Sequence, residues 1–318
     1  MSTPTIPKVD LLENPLFKHF ITAFNALSDG SEQLSLDEVR NRCKQFFLTS
    51  DTIYEPVKQI ENVEVTGKDQ HQIPVRIYTP HSDSKALPVM MFFHRGGWVF
   101  GSVEEADSLC RKLANHMGCV IASVDFRRAP EYPFPKPVED CYDATQWVAK
   151  NAARFGGDPQ NIIVCGESAG GNMATVVALM SRDRHGASIS QQLLICPVIS
   201  STCEEQAYAQ SVDKYFITLD SMRFFWSMYA QSPEDSTNPY ASPDKAADLS
   251  GLPPAVIITA AYDPLRIEAE AYGKKLAAAG VKVTSKCFPG VIHSFIDLPI
   301  YEEKQIVDWI KEIGNCLK

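Results

Sequence analysis

From residue 89 to the C-terminus the chain alternates two apolar patterns. Short continuous runs, rich in β-branched and aromatic residues, fall at 89–93, 120–124, 161–165, 192–196 and 255–260. Runs of that length between turn residues predict strands buried on both faces. Longer stretches with apolar positions three and four residues apart lie at 104–117, 138–153, 171–180, 265–279 and 300–316. These predict helices packed along one side. Gly280 stands where a helix C-terminus favours glycine. Residues 281–288 alternate polar and apolar, as an edge strand does.

Strand and helix in strict alternation imply a mostly parallel sheet with helices on both faces. Two earlier strands, 60–66 and 73–78, are separated by a polar turn and predict an antiparallel hairpin at one edge. The expected fold is therefore α/β, with an eight-stranded sheet. Two segments break the alternation. Residues 1–55 contain amphipathic helices at 15–27 and 36–48, and residues 201–245 contain one at 219–229. Neither has a strand of its own. They are expected to form a cap over the carboxyl edge of the sheet, where open α/β folds bind ligands. The core is then 56–200 together with 246–318.

Composition changes this picture little. Across 318 residues, 45% are hydrophobic and 22% charged, as in a soluble globular protein. The net charge of -9 argues against nucleic acid or an anionic membrane as partner. No apolar stretch reaches bilayer length and the N-terminus lacks a signal-peptide pattern, so the expected location is cytoplasmic. The nine cysteines form no C-x-x-C pair and are expected to be free thiols, with no metal site. Cys165, inside a strand, is expected to face the core.

The chemistry centres on Gly166-Glu167-Ser168-Ala169-Gly170, between the strand at 161–165 and the helix at 171–180. A serine on a strand-to-helix turn, with glycine two residues to either side, fits a nucleophile elbow. The order expected on this fold is serine, acid, histidine. Only His185 and His293 follow Ser168. His185 sits in a polar loop, whereas His293 directly follows the last strand and can reach back over the sheet edge. Several carboxylates qualify as the acid by order alone. Asp263 is singled out because it follows the strand at 255–260 and precedes Pro264. Glu268 and Glu270, in the next helix, read as a solvated face. Oxyanion donors are expected from the Ala169 N–H and from the loop His94-Arg95-Gly96-Gly97-Trp98 after the third strand.

Five motifs in order carry a resemblance: His94 to Trp98; Asp125-Phe126-Arg127-Arg128-Ala129-Pro130-Glu131-Tyr132-Pro133-Phe134-Pro135; the elbow; Tyr262-Asp263-Pro264-Leu265-Arg266; and Gly290-Val291-Ile292-His293-Ser294-Phe295. Together they resemble the hormone-sensitive-lipase family of α/β-hydrolases, the carboxylesterases with an HGGG motif, along nearly the whole chain. The resemblance implies a triad of Ser168, Asp263 and His293, an oxyanion hole from the N–H groups of Gly96, Gly97 and Ala169, and a helical cap. It implies that His94 braces the oxyanion loop. No metal or organic cofactor is implied, and a homodimer through the edge strand 281–288 is compatible with it. The chain departs from the family at three positions. Arg95 replaces a glycine and is expected to narrow the acyl or alcohol side, or to lie against the cap. Glu167 replaces a common Asp. Ile267 stands where a second Asp is frequent.

The expected function is hydrolysis of short- to medium-chain carboxylic esters, small-molecule substrates, through an acyl-enzyme. Trp98 and Phe216 are the expected substrate contacts, with Phe224, Phe225, Trp226 and Tyr229 as further candidates for the pocket. Two other readings share the scaffold. One is a deacetylase or amidase on the same triad. The other is a non-catalytic ligand receptor like the plant gibberellin receptor, which lacks the histidine that stands here as His293.

Overall fold

The computed structural model describes residues 34–49, 52–84, 86–210 and 217–318, with positions 15, 18 and 22 besides. Apart from those three positions, the expected helix 15–27 lies outside the described residues. Eight strands form one sheet: β1 (Gln59–Thr66), β2 (Gln72–Thr79), β3 (Leu87–Phe93), β4 (Val120–Val124), β5 (Gly157–Glu167), β6 (Ile189–Ile195), β7 (Ala255–Tyr262) and β8 (Val283–Ile292). Their spatial order is β1-β2-β4-β3-β5-β6-β7-β8. The hairpin β1–β2 and the β2–β4 pair are antiparallel, and every pair from β4 to β8 is parallel.

The continuous apolar runs are explained by the two-residue period of a strand. In β3, Val89, Met91 and Phe93 enter one core, whereas Met90 and Phe92 enter the other. The first core is closed by α3 (Lys136–Asn151), α4 (Ala169–Asp183) and α8 (Arg266–Ala278). The second is closed by α2 (Asp107–Met117) and α9 (Glu303–Cys316). A strand squeezed between two helical layers has no polar face to show.

Parallel strands deliver their loops to one edge. The chain leaves β3 at His94, β5 at Ser168, β6 at Cys196, β7 at Asp263 and β8 at His293, all at the carboxyl edge. The segments before β1 and after β6 carry α1 (Leu36–Phe47), the short α5 (Glu205–Gln210), α6 (Leu219–Tyr229) and the short α7 (Pro233–Thr237), and Phe47 of α1 and Phe225 of α6 border a cavity with Ser168. Ser35 and Glu38 form a reciprocal capping box that starts α1. Its Val39, Cys43, Phe46 and Phe47 are buried. Among the described residues no helix is long and apolar enough to cross a membrane. The nine cysteines are free, and Cys165 faces the core as expected.

Candidate active site

Ser168 sits at the tip of a strained turn. Its backbone has φ 56° and ψ -119°, a conformation that side-chain-bearing residues rarely adopt. The turn holds because β5 and α4 pass so close that a Cβ on Gly166 would lie 2.1 Å from the carbonyl oxygen of Gly170. The Ser168 N–H donates to the Ile195 carbonyl at 2.9 Å, and its carbonyl accepts from the Val198 N–H at 3.1 Å. The strain is therefore anchored to β6 and the loop after it.

Asp263 and His293 come from adjacent strands, β7 and β8. His293 Nδ1 lies 2.7 Å from Asp263 Oδ2, and both side chains are buried. The other carboxylate oxygen, Oδ1, accepts from the Leu265 N–H at 2.9 Å, which fixes the carboxylate plane. Ser168 and His293 border one cavity. A carboxylate on Nδ1 holds the imidazole so that its other nitrogen serves as base, which is the arrangement an activated serine needs.

The loop after β3 approaches the same cavity. Gly97 has φ 59°, and a Cβ there would lie 2.1 Å from the Phe225 ring. Glycine is thus demanded by both conformation and space. Among the described residues the amides of Gly96 and Gly97 donate to no protein acceptor. Two unspent amides beside a nucleophile can receive a developing oxyanion. Ala169 opens α4 directly behind Ser168. His94 is buried, and its Nδ1 lies 2.8 Å from the Arg95 carbonyl oxygen. A carbonyl only accepts, so Nδ1 carries the proton. Its ring stacks on Phe126, with centroids 4.2 Å apart. Burial pushes the His94 pKa down to about 3, so the ring stays neutral.

Of the two expected substrate contacts, one lies away from the cavity and the other outside the described residues. Trp98 does not border the cavity. It is fully buried, stacked on Tyr229 at 4.3 Å and tilted against Trp226 at 4.7 Å. Its backbone has φ 63°. Phe216 lies outside the described residues. The apolar wall is instead Phe47, Phe100, Val198, Ile217, Met222 and Phe225. Of the other aromatic candidates, Phe225 is on the wall, whereas Trp226 and Tyr229 pack around Trp98.

Two charged features escaped the sequence reading. Glu268 is half-buried rather than fully solvated. Its Oε1 accepts from the Ile199 N–H at 2.7 Å, and burial pushes its pKa up to about 8. Asp297, four residues after His293, lies with Oδ2 2.7 Å from Arg95 Nη2. A buried loop arginine demands a nearby carboxylate, and that requirement was the available signal.

The ligand atoms of Cys196, Asp263 and His293 lie within 4.8 Å of one another, and all three residues are buried. Among the described residues this is the set that can hold an ion. The short hydrogen bond between His293 and Asp263 already joins two of its members.

The chain matches a family model described as alpha/beta hydrolase fold over residues 90–297. It is 33% identical over 303 residues to the carboxylesterase NlhH of Mycobacterium tuberculosis, covering 94% of this chain and 93% of that protein. It is 35% identical to an arylesterase of Saccharolobus solfataricus, covering 77% of this chain and 79% of that protein. Among solved structures, a hyperthermophilic esterase from the archaeon Pyrobaculum calidifontis superposes with a TM-score of 0.83 at 37% identity, covering 93% of this chain and 97% of that one. Motifs, topology and relatives agree: the chain belongs to the α/β-hydrolase family, in its hormone-sensitive-lipase-like branch.

Proposed function

We propose that this protein is a serine carboxylesterase acting on small-molecule esters. The observation that carries the reading is the buried His293–Asp263 pair at 2.7 Å, on the cavity that Ser168 borders from a strained elbow. Ser168 attacks the ester carbonyl and His293 takes its proton. The Gly96, Gly97 and Ala169 amides receive the oxyanion. Collapse expels the alcohol, which His293 protonates, and leaves the acyl group on Ser168. Water then attacks by the same steps in reverse roles. Asp263 keeps the imidazole oriented and stabilises its charged form.

Carboxylesterase, arylesterase and ethyl acetate hydrolase are the names of relatives at 33%, 35% and 34% identity, which supports ester rather than peptide chemistry. The cavity wall is largely apolar, and the family resemblance favours short to medium acyl chains. Residues 1–55 and 201–245 act as its cap; α1 from the first and α6 from the second supply cavity residues. The location is proposed as cytoplasmic. The free edge at β8 is the proposed seat of a homodimer, checked by sedimentation at several concentrations.

A panel of aryl esters of increasing acyl length, run on the parent and on Ser168→Ala, tests the function. The parent should prefer the shorter chains, and Ser168→Ala should be inactive on all. A Ser168→Ala variant that keeps more than a few per cent of parent activity overturns the assignment.

A further inference from the structure

The cavity wall holds one charged side chain whose presence neither the triad nor the oxyanion amides require. Arg95 stands in the oxyanion loop, immediately before Gly96, and is only 6% exposed. Burying a guanidinium costs several kcal/mol or more unless charge partners surround it. Arg95 has three. Its Nη2 is 2.7 Å from Asp297, its Nε is 3.9 Å from Glu167, and its Nη1 is 4.0 Å from Glu105.

The partners come from different parts of the active site. Glu167 precedes the nucleophile. Asp297 lies in the loop that carries His293. Glu105 lies on the segment leading into α2. On the opposite side the guanidinium carbon sits 3.2 Å from the centroid of the Phe47 ring, at the end of α1. Cationic and aromatic faces attract at this separation, more so when water is excluded. A second arginine repeats the connection from the helix side. Arg40 of α1 donates from Nε to the Val99 carbonyl at 3.0 Å and from Nη2 to the Ala129 carbonyl at 3.0 Å. Glu131 holds the Arg40 fork with two bonds of 2.7 and 2.8 Å. The oxyanion loop is thus gripped at both ends, at Arg95 and at Val99, and α1 takes part in both grips.

We propose that Arg95 is a positioning residue that sets the oxyanion hole, joining the Gly96–Gly97 loop to the nucleophile elbow, the histidine loop and the cap helix α1. This reading rests on the ester-hydrolase function above. A loop with consecutive glycines is free to move, and a donor displaced by about 1 Å costs on the order of 10²-fold in rate. Arg95 supplies the rigidity that the glycines lack, by charge rather than by side-chain packing. The seating of α1 on Phe47 and Arg40 then decides whether the amides point at the cavity.

The test uses the full chain and five variants: Arg95→Met, Arg95→Lys, Phe47→Leu, the pair Phe47→Leu with Arg95→Met, and the charge-balanced pair Arg95→Met with Asp297→Asn. Four quantities are measured: kcat, KM, the affinity of a trifluoromethyl ketone, which forms a tetrahedral adduct on the serine, and the thermal midpoint. Arg95→Met should lower kcat about 10²-fold and weaken the ketone in parallel, with little change in KM, as expected for lost oxyanion stabilisation. Arg95→Lys should recover part of the loss, since it keeps the charge without the flat fork. Phe47→Leu should lower kcat less, and its effect should vanish in an Arg95→Met background. The balanced double variant also neutralises Asp297, the carboxylate nearest the lost charge, so it separates folding from positioning: its midpoint should recover relative to Arg95→Met while its kcat stays low. Three results overturn the proposal: a rise in KM with kcat unchanged, ketone affinity equal to the parent's, or additive effects of the Phe47 and Arg95 changes. A parent without esterase activity sinks the function and this proposal together. An active parent with unimpaired variants sinks this proposal alone.

Discussion

Two carboxylates flank the proposed catalytic groups, Glu167 buried and Glu268 half-buried, and they are held in opposite ways. Glu167 precedes Ser168, and Glu268 follows Asp263 by five residues. Burial pushes both up to a pKa of about 8. Glu167 is compensated by a cation, Arg95, which also faces Asp297 and Glu105. Glu268 is compensated by the backbone, through the amides of Ile199 and Ser200 at 2.7 and 3.4 Å. The first solution ties several chain segments to one charge. The second closes the single loop after β6 onto the start of α8. The difference teaches that two carboxyls raised alike by burial need not share a function. A charge hub transmits position between loops, whereas a pair of amides only seals a turn.

On that contrast both carboxylates are support, and the chemistry belongs to the proposed triad. Ser168→Ala should therefore exceed every change in either cluster, at a loss on the order of 10⁴ to 10⁶ in kcat. A cluster variant that costs more would break the comparison at its root.

Asp297→Asn should come next, after the Arg95→Met loss. It removes the closest partner of a buried cation, so the chemical-denaturation free energy should drop by about 3 kcal/mol. An unchanged denaturation midpoint would mean that Glu105 and Glu167 suffice to hold Arg95.

Glu268→Gln should act mainly on pH dependence. The folded pKa lies above the unfolded value of 4.5. Folding therefore retains a proton that the unfolded chain releases, so the group's stability contribution is full below about pH 4.5 and is lost as pH rises toward 8. The thermal midpoint of the parent should fall across that window, and Glu268→Gln should flatten the slope while leaving kcat nearly unchanged. Glu167→Gln should flatten it as well, but with a loss of kcat, because Glu167 is part of the Arg95 hub. Equal kcat in the two glutamine variants would erase the distinction between the sites.

The smallest effect should come from Trp98→Phe. The residue touches Tyr229 and Trp226 rather than the cavity. Its KM should match the parent's across the ester panel, with only a modest midpoint decrease. A KM change that grows with acyl length would return Trp98 to the substrate.

Much of this architecture is written in local pattern. β4 coincides with its apolar run because both faces of those five residues are buried. α6 begins at its expected residue because Thr218 and Ser221 cap it reciprocally. β5 begins four residues earlier than its apolar run. Gly157 pairs with Leu87 through a register shift that no local feature of 157–160 announces. Glu268 was misread for the same kind of reason. Its helix spacing allows a solvated face, and only the proximity of the loop after β6 encloses it. An aromatic residue beside a glycine turn can point either way, and the fold packs Trp98 on Tyr229 and Trp226.

The sequence by itself determined the sheet, the elbow, and the order of serine, acid and histidine. Those features follow from residue period, from glycine geometry and from motifs read within a few positions of each other. Only the tertiary structure decided what encloses the serine: Phe225 rather than Trp98 on the wall, Asp297 opposite Arg95, and Phe47 upon it. Those contacts join residues from about 50 to 200 positions apart. Their energies depend on burial and distance, and neither exists until the strands have closed into one sheet.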